Sequence, residues 1–178
     1  MQRPAAASTP GQAGFSLLEM VLATAVLLMG LVGVAQLVPA SLLLNQENRS
    51  NASSLVMAQR ELDQMVNQPL ISNGFTDIEN NFCLLGDPTQ NGVVVGSPLV
   101  MADNRPLIDF SQGVVPGYSF TYLDPNDPNG ATWDVRWAVI TTVNATNIIM
   151  NKRFILGARQ IGGVGFVLPV TLDTTVSK

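Results

Sequence analysis

Apolar residues fill positions 15–38 almost without interruption. As a helix rising 1.5 Å per residue, that run would span ~36 Å, enough to cross a bilayer. After Pro39 the pattern becomes one-sided. Leu55, Ala58, Leu62 and Met65 recur at spacings of 3, 4 and 3, which is one helical face, while Ser53, Gln59, Glu61 and Gln64 lie off it. Pro69 disfavours a helical residue before it, so the helix should end near Gln68. A near-continuous helix over 15–67 would be ~80 Å long. Its first half is apolar all round and its second half carries a stripe, which predicts burial in lipid or a filament core for 15–39 and against a globular domain for 40–68. Gly30, Gly33 and Pro39 are places for the helix to bend or melt, and the glycines equally suit close helix–helix packing.

Residues 70–116, rich in Gly, Asn, Asp and Pro, read as a long irregular connection with short apolar clusters such as 93–95 and room for short strands. From there the period is two. Tyr118, Phe120 and Tyr122 alternate on one face, and Trp133, Val135, Trp137 and Val139 alternate against Asp134 and Arg136, as in a half-buried strand. Residues 154–160 and 164–170 read as further strands separated by Gly162 and Gly163. Consecutive strands with short turns predict an antiparallel sheet over 117–172 within a globular region 69–178. The fold class is α+β, with the long N-terminal helix packed on a C-terminal sheet.

Composition narrows the chemistry. The chain has 178 residues with a net charge of −4 and no basic run, so nucleic acid is not an expected partner. It has no histidine, which excludes His-based triads and zinc sites, and no close pair of carboxylates marks general acid–base work. An enzyme is not expected, nor is a cofactor. The single cysteine, Cys83, has no intrachain partner and reads as a small buried hydrophobe. Asp124, Asn126, Asp127 and Asn129 form an oxygen-rich loop of the kind calcium favours, without the closing Glu of an EF-hand; a plain hairpin loop accounts for it as well. Asn144-Ala145-Thr146 is a glycosylation-type triplet that also suits a turn. Trp133 and Trp137 read as core.

One residue does not fit an ordinary membrane segment. Glu19 stands a few positions inside the apolar run, where a carboxylate costs of order a few kcal/mol on insertion scales. Three readings of the N-terminus compete. A secretory signal peptide would have a shorter apolar core. A plain anchor leaves Glu19 unexplained. Cleavage between Gly14 and Phe15 would create an α-amine with a reference pKa of about 7.7–8.0, largely protonated at neutral pH, and Glu19 then supplies its counter-charge on the same or a neighbouring subunit. A carboxylate in the first helical turn also suits the helix dipole.

The stretch "GFSLLE" at 14–19, followed by the apolar run, resembles the processing signal of type IV prepilins and pseudopilins. The leader carries Arg3 where that family commonly has a basic cluster. Gly30 and Gly33 within 25–37 resemble minor pilins of the type IV pilus modification class, as does the strand–loop–strand with Trp133 and Trp137. The resemblance implies a leader over 1–14 cleaved after Gly14 by a prepilin peptidase, N-methylation of Phe15, and a pairing role for Glu19 in assembly. It further implies a single pass through the inner membrane with the C-terminal domain in the periplasm. Incorporation into a pilus would follow, to prime assembly or modify the tip. The implied partners are the peptidase, other pilin or pseudopilin subunits through the N-terminal helix, the inner-membrane assembly platform and membrane lipid. A minor pseudopilin of a type II secretion system shares the same N-terminal physics. A single-pass anchored binding protein that never polymerises is the alternative of another class.

Overall fold

The computed structural model describes residues 14–123, 132–162 and 168–177. It is α+β: one helix, α1 (Leu17–Val66), precedes antiparallel strands. The chain divides into two units, Met1–Leu44 and Asn45–Lys178.

In the first unit the helical pattern continues unbroken through Gly30, Gly33 and Pro39, so the helix does not melt there. Every side chain over 14–45 is exposed. Thr24 Oγ donates to the carbonyls of Met20 and Val21 at 3.0 and 2.9 Å, and Ser41 Oγ to those of Leu37 and Val38 at 2.9 Å each. These hydroxyls therefore find partners on their own helix, as polar groups in an apolar setting must.

In the second unit the strands are β1 (Gly74–Thr76), β2 (Phe82–Leu84), β3 (Val94–Gly96), β4 (Leu99–Ala102), β5 (Arg105–Ile108), β6 (Ser119–Leu123), β7 (Thr132–Val143), β8 (Ile149–Ile161) and β9 (Val170–Ser177). The segment 70–116, expected as an irregular connection with room for short strands, holds five of them, among them β3, which joins the main sheet on β7. Its Gly, Asn and Pro content makes each strand only three or four residues long, too short for a period to show. β1 with β2 and β4 with β5 are separate antiparallel hairpins. Residues 164–167 of the expected strand over 164–170 lie outside the described residues. Pairing with β8 begins at Val170, and the sheet reaches Ser177 instead of ending at 172.

The main sheet runs β3-β7-β8-β9, with β6 also on β7. β6 and β3 lie end to end along one edge of β7, opposite β8. At their junction the Trp137 N–H donates to the Tyr118 carbonyl at 3.0 Å, and the Ser97 N–H donates to the Trp137 carbonyl at 2.9 Å. Gly96, at φ +113°, sits where a Cβ would lie 2.6 Å from Tyr118 Cδ1 and 2.7 Å from the Trp137 carbonyl oxygen. Glycine is required there for conformation and space.

One face of the sheet buries Trp133, Val135, Trp137, Val139, Phe154, Leu156 and Ala158 together with Met57, Ala58 and Met65 of α1. The helical stripe is real but turned from the expected one. Ala58 and Met65 are core, Leu62 is half-buried, and Leu55 is 38% exposed. Ser54 and Glu61, both polar, are buried in its place. Ser54 Oγ accepts the Trp133 indole N–H at 3.2 Å, the partner that a buried indole needs.

The half-buried reading of β7 is corrected as well. Ile108 packs on Ala138 and Ile155 on the opposite face, with Leu99, Phe110 and Ile140 around them. Asp134 and Arg136, expected to face water, are 4% and 5% exposed. Arg136 Nε lies 2.9 Å from Asp134 Oδ1, Arg159 reaches Asp134 Oδ2 at 3.0 Å, and Arg136 Nη1 donates to the Gln112 carbonyl at 2.7 Å. The Phe110 ring lies 5.2 and 4.6 Å from the two guanidinium carbons. Pairing and hydrogen bonding make the burial tolerable.

Met65→Ala should lower the stability of the second unit by about 2–5 kcal/mol, because Met65 is 1% exposed beneath the sheet. Leu55→Ala should change it by less than about 0.5 kcal/mol. Denaturant unfolding followed by the fluorescence of Trp133 and Trp137 checks both, and equal losses would contradict the observed face.

Candidate functional site

The residues singled out by sequence lie together at the start of α1. Gly14, Phe15 and Ser16 are non-helical, and the helix begins at Leu17. Phe15 is 85% exposed, and a Cβ added to Gly14 would meet nothing within 4 Å. Gly14 and Phe15 are thus both exposed just ahead of the helix. The described part of the leader ends there, since 1–13 lie outside the described residues.

Ser16 is the helix N-cap: its Oγ accepts the Glu19 N–H at 3.2 Å. Glu19 occupies the first turn. Ser16-x-x-Glu19 is the spacing of a capping box, a signal present in the sequence that the attention to charge pairing passed over. Beyond Glu19 no charged side chain occurs until Glu47. Gly30 and Gly33 have no neighbour within 4 Å of an added Cβ, leaving room for close approach by another helix. The helix is long and apolar enough to cross a membrane, with a mean hydropathy of 2.3 in its most apolar window.

A second cluster lies in the seam between α1 and the β1–β2 hairpin. Glu61, Asp77 and Cys83 place their acidic oxygens and sulfur within 4.8 Å of one another, all buried. Asp77 Oδ1 accepts the Asn81 N–H at 2.6 Å and its Oδ2 accepts Asn81 Nδ2 at 2.8 Å. Glu61 Oε2 accepts Gln64 Nε2 at 3.0 Å, and its Oε1 faces the Cys83 thiol at 3.7 Å. Because these oxygens are taken up internally, we assign the cluster no ion. Burial, reinforced by the charge of Asp77, pushes the Glu61 carboxyl up to about 7 against the weaker opposing pull of Cys83 and Arg60. Burial, then the charges of Glu61 and Asp77, holds the Cys83 thiol far above its ordinary value, so it is an inert buried thiol.

The sequence reading put Glu61 off the apolar face, although it stands three residues after Ala58 and four before Met65. Its position was correct for burial and its polarity argued it out. The oxygen-rich loop with Asp124, Asn126, Asp127 and Asn129 lies outside the described residues. The Asn144 triplet forms a hairpin turn in which Asn144 Oδ1 accepts from the Thr146 N–H, the Thr146 hydroxyl and the Ile148 N–H.

Lys152 on β8 is also buried, and its Nζ donates to the Ser72 carbonyl at 2.5 Å in a narrow groove lined by Met65, Pro69, Leu85 and Phe154. Burial lowers its ammonium to about 8.

Searches against family models, curated proteins and solved structures return no match for this chain. The functional reading therefore rests on its own residues.

Lys152 gives a pH prediction with a definite sign. Its folded pKa is depressed from 10.5 to about 8, so the folded state binds fewer protons than the unfolded state between those values. Its contribution to stability is then least favourable below pH 8 and improves as pH rises toward 10.5. In Lys152→Met that improvement should be absent, and the variant should be most stabilised relative to wild type near neutrality. Unfolding midpoints across this range check it; a constant difference between the two proteins would contradict the assignment.

Proposed function

We propose that this chain is a minor pilin: a structural subunit cleaved after Gly14 by a prepilin peptidase, N-methylated on Phe15, held in the inner membrane by the apolar part of its helix, and drawn into a type IV pilus. One observation carries the reading. A Gly14–Phe15 junction stands one residue before the N-cap of a helix whose only charged side chain before Glu47 is Glu19, four residues beyond Phe15.

An apolar helix exposed all round requires an apolar surrounding, lipid first and other subunits' helices afterwards. Cleavage would place an α-amine at the mouth of that helix, and a charge in such surroundings needs a partner. Glu19 offers it, and pairing with the Phe15 amine of a neighbouring subunit would fix the axial register between chains. The second unit would then be the part displayed in the periplasm and on the filament. The role is structural, at the priming complex or the tip.

Intact-mass measurement of the chain recovered from filaments should give a species starting at Phe15 and carrying one methyl group. Gly14→Val should abolish cleavage, because the added branch crowds the scissile peptide. Retention of Met1 in filaments would overturn the processing reading.

Glu19→Ala should leave cleavage and membrane insertion intact, since alanine enters lipid more easily than glutamate. It should deplete the subunit from sheared filaments, because removing one partner of a buried pair costs roughly 3–5 kcal/mol. Wild-type levels of Glu19→Ala in filaments, beside an unchanged membrane fraction, would refute the pairing.

A further inference from the structure

We propose that Glu61 is a proton-operated latch: with its carboxyl neutral the β1–β2 hairpin is closed on the second half of α1, and loss of that proton releases the hairpin. This is independent of the filament reading, because it concerns only residues of the second unit.

The geometry makes Glu61 the hub of the polar contacts between helix and hairpin. Gln64, one turn along, donates from Nε2 to Glu61 Oε2 at 3.0 Å and accepts the Ile78 N–H on its Oε1, also at 3.0 Å. The carboxyl is thus linked through one side chain to the turn between β1 and β2. On its other oxygen it meets Cys83 of β2 at 3.7 Å. Glu61 itself is 1% exposed.

Burial and like charge favour the neutral acid and outweigh the two donors that favour the carboxylate. From the hairpin turn Asp77 and Glu79 bear on Glu61 with like charge, and from β2 the Cys83 thiol is a weak donor. From α1 the one nearby cation is Arg60. Its guanidinium turns away to Glu79 at 3.0 Å and lies over the Tyr122 ring at 5.1 Å. Among the described residues these are the charged and titratable groups that bear on Glu61. One amide and one thiol are poor compensation for an ionised carboxylate in a buried seam, so desolvation decides the balance. Opening the hairpin returns the carboxyl to water and frees it to ionise, so rising pH favours the open form.

The linkage has a definite sign. The carboxyl's closed-state value is raised from 4.5 to about 7, so the closed form holds the extra proton between those values. Closure is therefore most favoured at or below pH 4.5 and weakens progressively up to pH 7, beyond which the loss is complete. The corresponding opening equilibrium rises about 30-fold between about pH 5.5 and about pH 8.5.

Hydrogen exchange of the full chain in detergent micelles, corrected for intrinsic rates, tests this across residues 74–84. Wild type should lose protection by that ~30-fold factor over the same pH interval. Glu61→Gln, which keeps the shape and cannot ionise, should show no such loss. A flat wild-type profile, or the same loss in Glu61→Gln, would overturn the proposal. Should Glu61→Gln fail to fold, carbon-13 NMR titration of the Glu61 carboxyl in the wild-type chain decides. A midpoint near 7 supports the latch, and one near 4.5 overturns it.

Discussion

Strand β7 has no free side. β8 pairs along one edge, β6 and β3 share the other, α1 covers one face, and Ile108 with Phe110 covers the opposite face. Much of the second unit follows from satisfying this one strand. The Trp137 backbone uses both of its hydrogen-bonding groups at the join between β6 and β3, which demands glycine at 96. The Trp137 indole N–H, buried with the ring, finds the Leu84 carbonyl at 2.8 Å and so ties the end of β2 to the sheet. The Trp133 indole requires Ser54 on the helix. Aromatic bulk supplies the burial, while these polar demands fix where the neighbouring segments must lie.

The same enclosure explains what was legible in the sequence and what was not. The long apolar run, the end of the helix near Pro69, and the aromatic alternations before and after residues 124–131 each rest on local periodicity, and each appears as an element of the expected type. Asp134 and Arg136 were misplaced because alternation with charged residues signals water on one face. Here that face is covered by β5 and Phe110, and Asp134 is neutralised by Arg136 and by Arg159 from the adjacent strand. No local pattern reveals a partner 25 residues away. β3 was hidden for a related reason: three residues ending in Gly96 become a strand only because β7 offers them an edge.

Glu61 shows the converse failure. Helical spacing placed it correctly between Ala58 and Met65, but its chemistry outweighed its position. A carboxyl is excluded from a core only if it must be charged. With Asp77 beside it and the nearby Arg60 paired to Glu79, neutrality is the less costly state, and a neutral carboxyl is a polar group of ordinary size. Periodicity and polarity therefore conflicted at a place where protonation resolves the conflict.

Glu19 presents the corresponding question at the other end of the helix, and here two accounts use different atoms. The cap depends on Ser16 Oγ and the Glu19 backbone N–H, so it would survive replacement of the carboxylate. Its contribution is of order 1 kcal/mol, and interaction of an acidic side chain with the helix dipole adds a few tenths to 1 kcal/mol. Only the dipole interaction involves the carboxylate, so it alone offsets part of the cost of placing glutamate in an apolar segment, provided that Glu19 stays near the interface. It would ease the residue's presence without giving it a purpose. Pairing with an amine draws on the side chain itself and, in the filament reading, on a second chain. It is the larger effect where water is excluded, since the Coulomb term grows as the effective dielectric falls. The helix dipole would therefore ease how a monomer bears Glu19, whereas a subunit contact is where the carboxylate would contribute most.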